Sequence, residues 1–157
     1  MFRFFEEICG IPHGSSDTKR ISDYLVKFAT DRNLRFIQDG SNNVIIFKDG
    51  TAGYENSASV MLQGHMDMVC EKDTDCDIDF EHDGLRLVFE DGVISADGTT
   101  LGGDDGIAVA FALAILDADD IPHPPLECVF TVDEEIGMLG AAAIDCSPLK
   151  SRIMLNL

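Results

Sequence analysis

Residues 104–118 are apolar on nearly every side: Ile107, Val109, Phe111, Leu113, Ile115 and Leu116 leave no polar stripe for water. A helix with that pattern has to be covered all round, and a sheet is the cover that short apolar runs provide. Two such runs flank it, SVMLQ at 59–63 and LECVFTV at 126–132, and both read as buried strands. The rest of the chain fits the same plan. The first residues form a short helix that stops before Ile11-Pro12, because proline disfavours helix in the residue before it. Ser15 or Ser16 is placed to cap a second helix, whose Ile21, Tyr24, Leu25 and Phe28 share one face of a 3.6-residue period. Asp39-Gly40 and Asp49-Gly50 bracket the strand NVIIF, with residues 34–37 as its hairpin partner. Glu90-Asp91-Gly92 turns a second hairpin between LRLVF and VIS, GAAAID reads as a helix, and RIMLNL as a last apolar strand. The expected fold class is α/β, a partly parallel mixed sheet flanked by helices, with hairpins towards an edge.

With 157 residues the chain is long enough for one domain, and no internal boundary or repeat divides it. Its formal charge of −18 argues against a nucleic-acid partner, which requires clustered Lys and Arg, and suits a protein whose carboxylates gather round a cation. No apolar stretch is long enough for a bilayer, and the start MFRFFEEICG lacks a signal-peptide core, so no membrane association and a cytoplasmic location are expected. The five cysteines form no CxxC pair and read as free thiols.

Three acidic clusters follow apolar segments, where an open α/β sheet collects its ligands. His65 and Asp67 in GHMD point to the same side of an extended segment, so one imidazole nitrogen can meet a metal while Asp67 orients the other. A turn histidine bonded to a nearby acid accounts for the same pair. Asp104 and Asp105 in GGDDG stand at the mouth of the apolar helix, either as caps or as a carboxylate bridging two cations. Glu134 and Glu135 end the third run, as a solvated loop or as a metal ligand beside a base that takes a proton from water.

GHMDMV, DGTTLGGDDGIAVAFALAIL and PLECVFTVDEEIGMLGA, in that order, resemble the co-catalytic zinc peptidases of the aminoacylase, carboxypeptidase and dipeptidase superfamily. Within that superfamily the chain is most similar to the aminoacyl-histidine (Xaa-His) dipeptidases, and the likeness extends to IPHGS near the start. The resemblance implies a zinc-exopeptidase-like catalytic domain with two zinc ions, manganese or cobalt fitting the same donors. It implies His65, Asp104 and Glu135 as metal ligands, Asp104 bridging. Asp67 then orients His65, Glu134 is the general base, and a cis peptide joins Asp104 to Asp105. The implied reaction is hydrolysis of short peptides, Xaa-His dipeptides such as β-alanyl-histidine among them, by a cytoplasmic enzyme that is a homodimer when intact.

The same resemblance implies one more aspartate ligand just after a strand like RIMLNL, a distant histidine ligand, and a lid or dimerisation domain. Residues 1–157 are therefore expected to be the N-terminal portion of a single metallopeptidase catalytic domain, truncated at its C-terminus and inactive alone. Two other readings stay open. A tripeptidase of the superfamily shares the GTTL and DEE segments, but tends to carry lysine where Gly106 follows Asp105. A non-catalytic metal-binding module would need a calcium loop, and EKDTDCDIDFEHD at 71–83 lacks the interior glycine and terminal glutamate of one. His82 and His123 are expected at the surface, and His13 has no assigned role.

Overall fold

The computed structural model describes residues 1–156, so the last residue of RIMLNL lies outside the described residues. In chain order the elements are α1 (Phe2–Cys9), α2 (Lys19–Asp31), β1 (Arg35–Gln38), β2 (Val44–Lys48), β3 (Val60–His65), β4 (Leu87–Glu90) and β5 (Val93–Ala96). They continue with α3 (Gly103–Asp117), β6 (Leu126–Thr131), α4 (Leu139–Ala143) and β7 (Ile153–Asn156). Five strands form one sheet in the order β1-β2-β6-β3-β7, and β4 and β5 pair as a separate hairpin. The pairs β1–β2 and β2–β6 are antiparallel, whereas β3 lies parallel to both β6 and β7. This is the mixed α/β sheet that the alternating pattern implied. The turn between β4 and β5 places Asp91 and Gly92 at φ 51° and 81°, the positive pair a tight hairpin demands.

Side-chain alternation along the strands splits the core in two. Val44, Ile46, Cys128 and Phe130 face α1, α2 and α3, joining Phe4, Phe5, Ile8, Ile21, Leu25, Phe28, Val109 and Leu113 in the main cluster. Ile45, Phe47 and Val129 face the other way, into a small cluster edged by Met61, Ile144 and Leu149. The helix side is therefore the filled side. Burying each of these large aliphatic or aromatic side chains contributes about 1.5–3 kcal/mol. At the far end of α3, the Lys48 Nζ donates to the carbonyls of Ile115, Leu116 and Ala118 at 3.2, 3.0 and 2.6 Å, so a lysine at the end of β2 satisfies the helix C-terminus.

Four expectations are corrected, the first being a helix covered all round: Phe111 on α3 is 43% exposed, so one side of the helix meets water. Neither Ser15 nor Ser16 caps α2: the N-cap is Thr18, and Ser16 sits at φ 70° in a turn. The strand β3 is only half-buried from Val60 to Gln63, because Met61 and Gln63 face the thinly covered side of the sheet. His123 is buried rather than superficial; its Nδ1 lies 2.8 Å from the Pro124 carbonyl, and its backbone pairs with Thr51. His82 is exposed, as expected.

Candidate metal centre

His65 is the last residue of β3, and the preceding Gly64 sets how close α3 comes to it. A Cβ at Gly64 would meet Asp105 Oδ2 at 2.7 Å and the Ala108 Cβ at 2.9 Å. Glycine there lets the start of α3 press against the end of β3. The imidazole of His65 is buried, with Nδ1 3.0 Å from the Asp67 carbonyl and 3.4 Å from Asp67 Oδ1. Its Nε2 faces outward, 3.1 Å from Asp104 Oδ1 and 3.9 Å from Glu134 Oε2.

Asp67 is almost fully enclosed and accepts from three segments. Ser15 Oγ donates to Oδ2 at 2.8 Å, the Glu134 N–H donates to Oδ1 at 3.0 Å, and the Glu135 N–H lies 3.4 Å from Oδ2. Burial alone would raise its pKa, but the donors from His65, Glu134 and Ser15 overcome it and hold the carboxyl at about 2. Burial works against charge on His65 too, and Asp67 and Asp104 outweigh it, carrying the imidazole up to about 9.

The two aspartates of GGDDG point in different directions. The peptide joining Asp104 and Asp105 is cis, as the resemblance implied, and neither residue has helical dihedrals. Asp104 extends its side chain into solvent, 89% exposed, beside His65. Asp105 is buried, and its Oδ2 accepts the His65 backbone N–H at 3.1 Å, which ties α3 to β3. Burial pushes Asp105 up to about 6, the neighbouring Asp104 adding to it while the His65 and Ala108 N–H groups oppose it. So one acid turns inward to the β3 backbone and the other stands outward beside the His65 imidazole.

Glu134 and Glu135 sit on a loop whose turn is built by backbone. The Glu134 carbonyl accepts from Gly137 and Met138 at 2.9 Å each, and the Leu139 N–H donates to the Asp133 carbonyl at 3.0 Å. Burial raises the pKa of Glu135, and Asp104, Glu134 and Asp67 add to it against the pull of His65. Carboxylates that crowd in this way are relieved by a cation.

One ligand atom each from His65, Glu134 and Glu135 lies within 4.8 Å of the other two. Asp104 joins them through its contact with His65, so the residues picked from three distant segments converge. By position alone Glu134 belongs with the ligands; only the resemblance singles it out as a base. A groove of about 610 Å³ runs from His65, Asp104 and Glu134 along the thinly covered face of the sheet, past Met61, Val129, Ile144 and Met154. Sequence reasoning missed Ser15, His13 and Asn43. Asn43 is buried, accepts the Val132 N–H at 3.1 Å and donates to the Gly140 carbonyl at 3.1 Å, holding both ends of the glutamate loop. Nothing in the local pattern of NVIIF marks that asparagine as more than a strand flank.

Comparison with known proteins follows the same line. The model for peptidase family M20/M25/M40 matches residues 61–148, which include His65, Asp67, Asp104, Asp105, Glu134 and Glu135. The cytosol non-specific dipeptidase of Escherichia coli (strain K12) is 38% identical over 156 residues, which make up 99% of this chain and 32% of that protein. The crystal structure of aminoacylhistidine dipeptidase from Vibrio alginolyticus superimposes with a TM-score of 0.95 at 41% identity, again over 99% of this chain and 32% of the other. Aminopeptidase PepT from Bacillus cereus gives a TM-score of 0.79 at 26% identity, covering 99% of this chain and 42% of that one. The chain thus spans about a third of the length of the two dipeptidases it matches. With the family model covering more than half of its residues, the chain belongs to peptidase family M20/M25/M40.

Proposed function

We propose that this chain carries the metal-binding core of a metallodipeptidase that hydrolyses short peptides at a pair of zinc ions, with Xaa-His dipeptides such as β-alanyl-histidine among its substrates. The observation that carries this reading is the meeting of His65, Asp104, Glu134 and Glu135 at one end of the sheet. The donors suit the ions: one imidazole nitrogen with several carboxylates is a zinc-like set, and manganese or cobalt fits it too. His65 would hold one ion through Nε2, Glu135 the other, and Asp104 both. Bound divalent cations supply a Lewis acid for the peptide carbonyl and make water acidic enough to lose a proton near neutral pH. Glu134 takes that proton and delivers it to the leaving amine. Asp67 keeps the Nδ1 of His65 occupied, so that Nε2 is the nitrogen left for ligation.

The dipeptidase reading is favoured by the 41% identity to the Vibrio alginolyticus aminoacylhistidine dipeptidase over 99% of this chain. Among the described residues the assigned roles give each ion two protein ligands, below the three usual for catalytic zinc. The reading therefore expects modest zinc affinity and no turnover from these 157 residues alone. A cytosolic setting and a homodimeric whole enzyme complete it; among the described residues no helix is long and apolar enough to cross a membrane. Calorimetric titration with Zn²⁺ and with Ca²⁺, before and after Glu135→Ala, tests the site. Zinc binding that disappears in the variant supports the reading; calcium binding that survives it supports a simple binding module instead. Turnover of β-alanyl-histidine by the 157 residues at enzyme-like rates would overturn the statement that they are inactive alone.

A further inference from the structure

The segment IPHGSS lies outside every loop that bears a candidate ligand, yet it bonds to two of them and lies beside the third. Gly14 forms a parallel bridge with Met68; the Met68 N–H donates to the His13 carbonyl and the Ser15 N–H to the Met68 carbonyl, both at 3.2 Å. That secures the GHMDM loop. The Ser16 N–H donates to Asp133 Oδ1 at 2.6 Å, which secures the glutamate loop from a residue at φ 70° to one at φ 55°. The buried ring of His13 lies beside Gly102, where an added Cβ would come within 3.5 Å of Nε2; this is the approach to GGDDG. At the middle, Ser15 Oγ donates to Asp67 Oδ2.

We propose that the segment 13–16 is a clip that assembles the metal centre, and that Ser15 is a positioning residue that fixes the rotamer of Asp67. Asp67 has to present one oxygen to His65 Nδ1 and the Glu134 N–H while its other oxygen lies near the Glu135 N–H. Tilting the carboxylate plane breaks those contacts, and Ser15 supplies the hydroxyl that holds the plane in place. His65 is then aimed by Ser15 through Asp67, and the backbone of both glutamates is set by the same contact. The role rests on the metal-peptidase reading for its consequence, but its geometry is independent of any ion.

The test uses the whole 157-residue chain, with Ser15→Ala and Ser15→Thr variants. Amide hydrogen exchange is measured without metal. Ser15→Ala is expected to speed exchange at Glu134 and Glu135 while β3, β6 and α3 keep their protection, and Ser15→Thr, which retains the hydroxyl, is expected to restore it. In a zinc titration Ser15→Ala is expected to bind roughly ten- to a hundredfold more weakly, the usual effect of losing a partner behind a ligand, with Ser15→Thr near the parent. Unchanged exchange at Glu134, loss of protection spread evenly over the sheet, or failure of threonine to restore the parent pattern would each overturn the clip. If the parent chain binds no zinc, the metal reading fails and the exchange pattern alone decides on Ser15.

Discussion

Asp67 illustrates how much one residue can carry when burial removes water as an alternative partner. Its carboxylate is the shared acceptor for Ser15, His65 and two backbone N–H groups, so truncation strands several donors at once. Asp67→Ala is expected to lower unfolding stability by about 3 kcal/mol in the absence of metal, the range for breaking a buried charged network. Urea unfolding measures it, and a loss below about 1 kcal/mol would contradict the hub. Thiol chemistry offers a second reading at this scale. Burial pushes the Cys9 and Cys128 thiols up to about 12, whereas Cys146 is exposed beside the groove. A thiol reagent at pH 8 should label Cys146 in the native protein and reach Cys9 and Cys128 only after unfolding, as followed by mass spectrometry. The acids and His65 were legible as candidates because their residue types are rare after apolar runs. Asp105's partner was not, since the contact is to a backbone N–H forty residues away.

At the scale of elements, the loops are positioned by close approaches. Gly140 packs so tightly that a Cβ would lie 2.3 Å from the Val132 carbonyl oxygen and 2.5 Å from Asn43 Oδ1. Gly140→Ala is expected to destabilise by about 1–3 kcal/mol and to displace the glutamate loop, since backbone cannot yield as a side-chain tip can. A thermal melt together with chemical-shift changes at Glu134 would check it. Strand β7 is held to the sheet partly through Glu127, whose carboxylate accepts the Lys150 and Ser151 N–H groups at 2.9 to 3.1 Å. Burial raises its pKa, but those donors more than offset this and leave it below its usual value. A depressed carboxyl stabilises the fold above its unfolded pKa, near 4.5, and loses that contribution as pH falls through the folded one. Stability should therefore drop more steeply below pH 4.5 in the parent than in Glu127→Gln; parallel pH profiles would remove this role. Helix and strand positions were readable from periodicity; the α2 cap and the depth of β3 were not, because tertiary contacts set both.

The whole molecule is an acidic body with one well-filled side. A formal charge of −18 repels itself at low ionic strength. Raising NaCl from about 0.01 to about 0.15 M shortens the screening length from about 30 to about 8 Å, and the melting temperature is expected to rise with it. A fall would mean that ion pairs such as Arg32–Asp117, at 2.6 Å, outweigh the net repulsion. The opposite face of the sheet carries only a three-residue buried cluster, and Ile153, Met154 and Leu155 on β7 are all about half exposed or more. The apolar groove therefore opens directly beside the acidic centre, a juxtaposition no linear pattern announces.

The α/β class, the packing of α3 against the sheet and the candidate acids were all legible in the chain, because each is written in local periodicity or residue type; the exposure of Phe111 on α3 was not. Only the tertiary structure decided which of Asp104 and Asp105 turns inward, that His123 is enclosed, and that Ser15 reaches Asp67 across fifty-two positions of chain. The physical reason is that these outcomes depend on which donor meets which acceptor once water is excluded, and packing, not spacing along the polymer, sets those meetings.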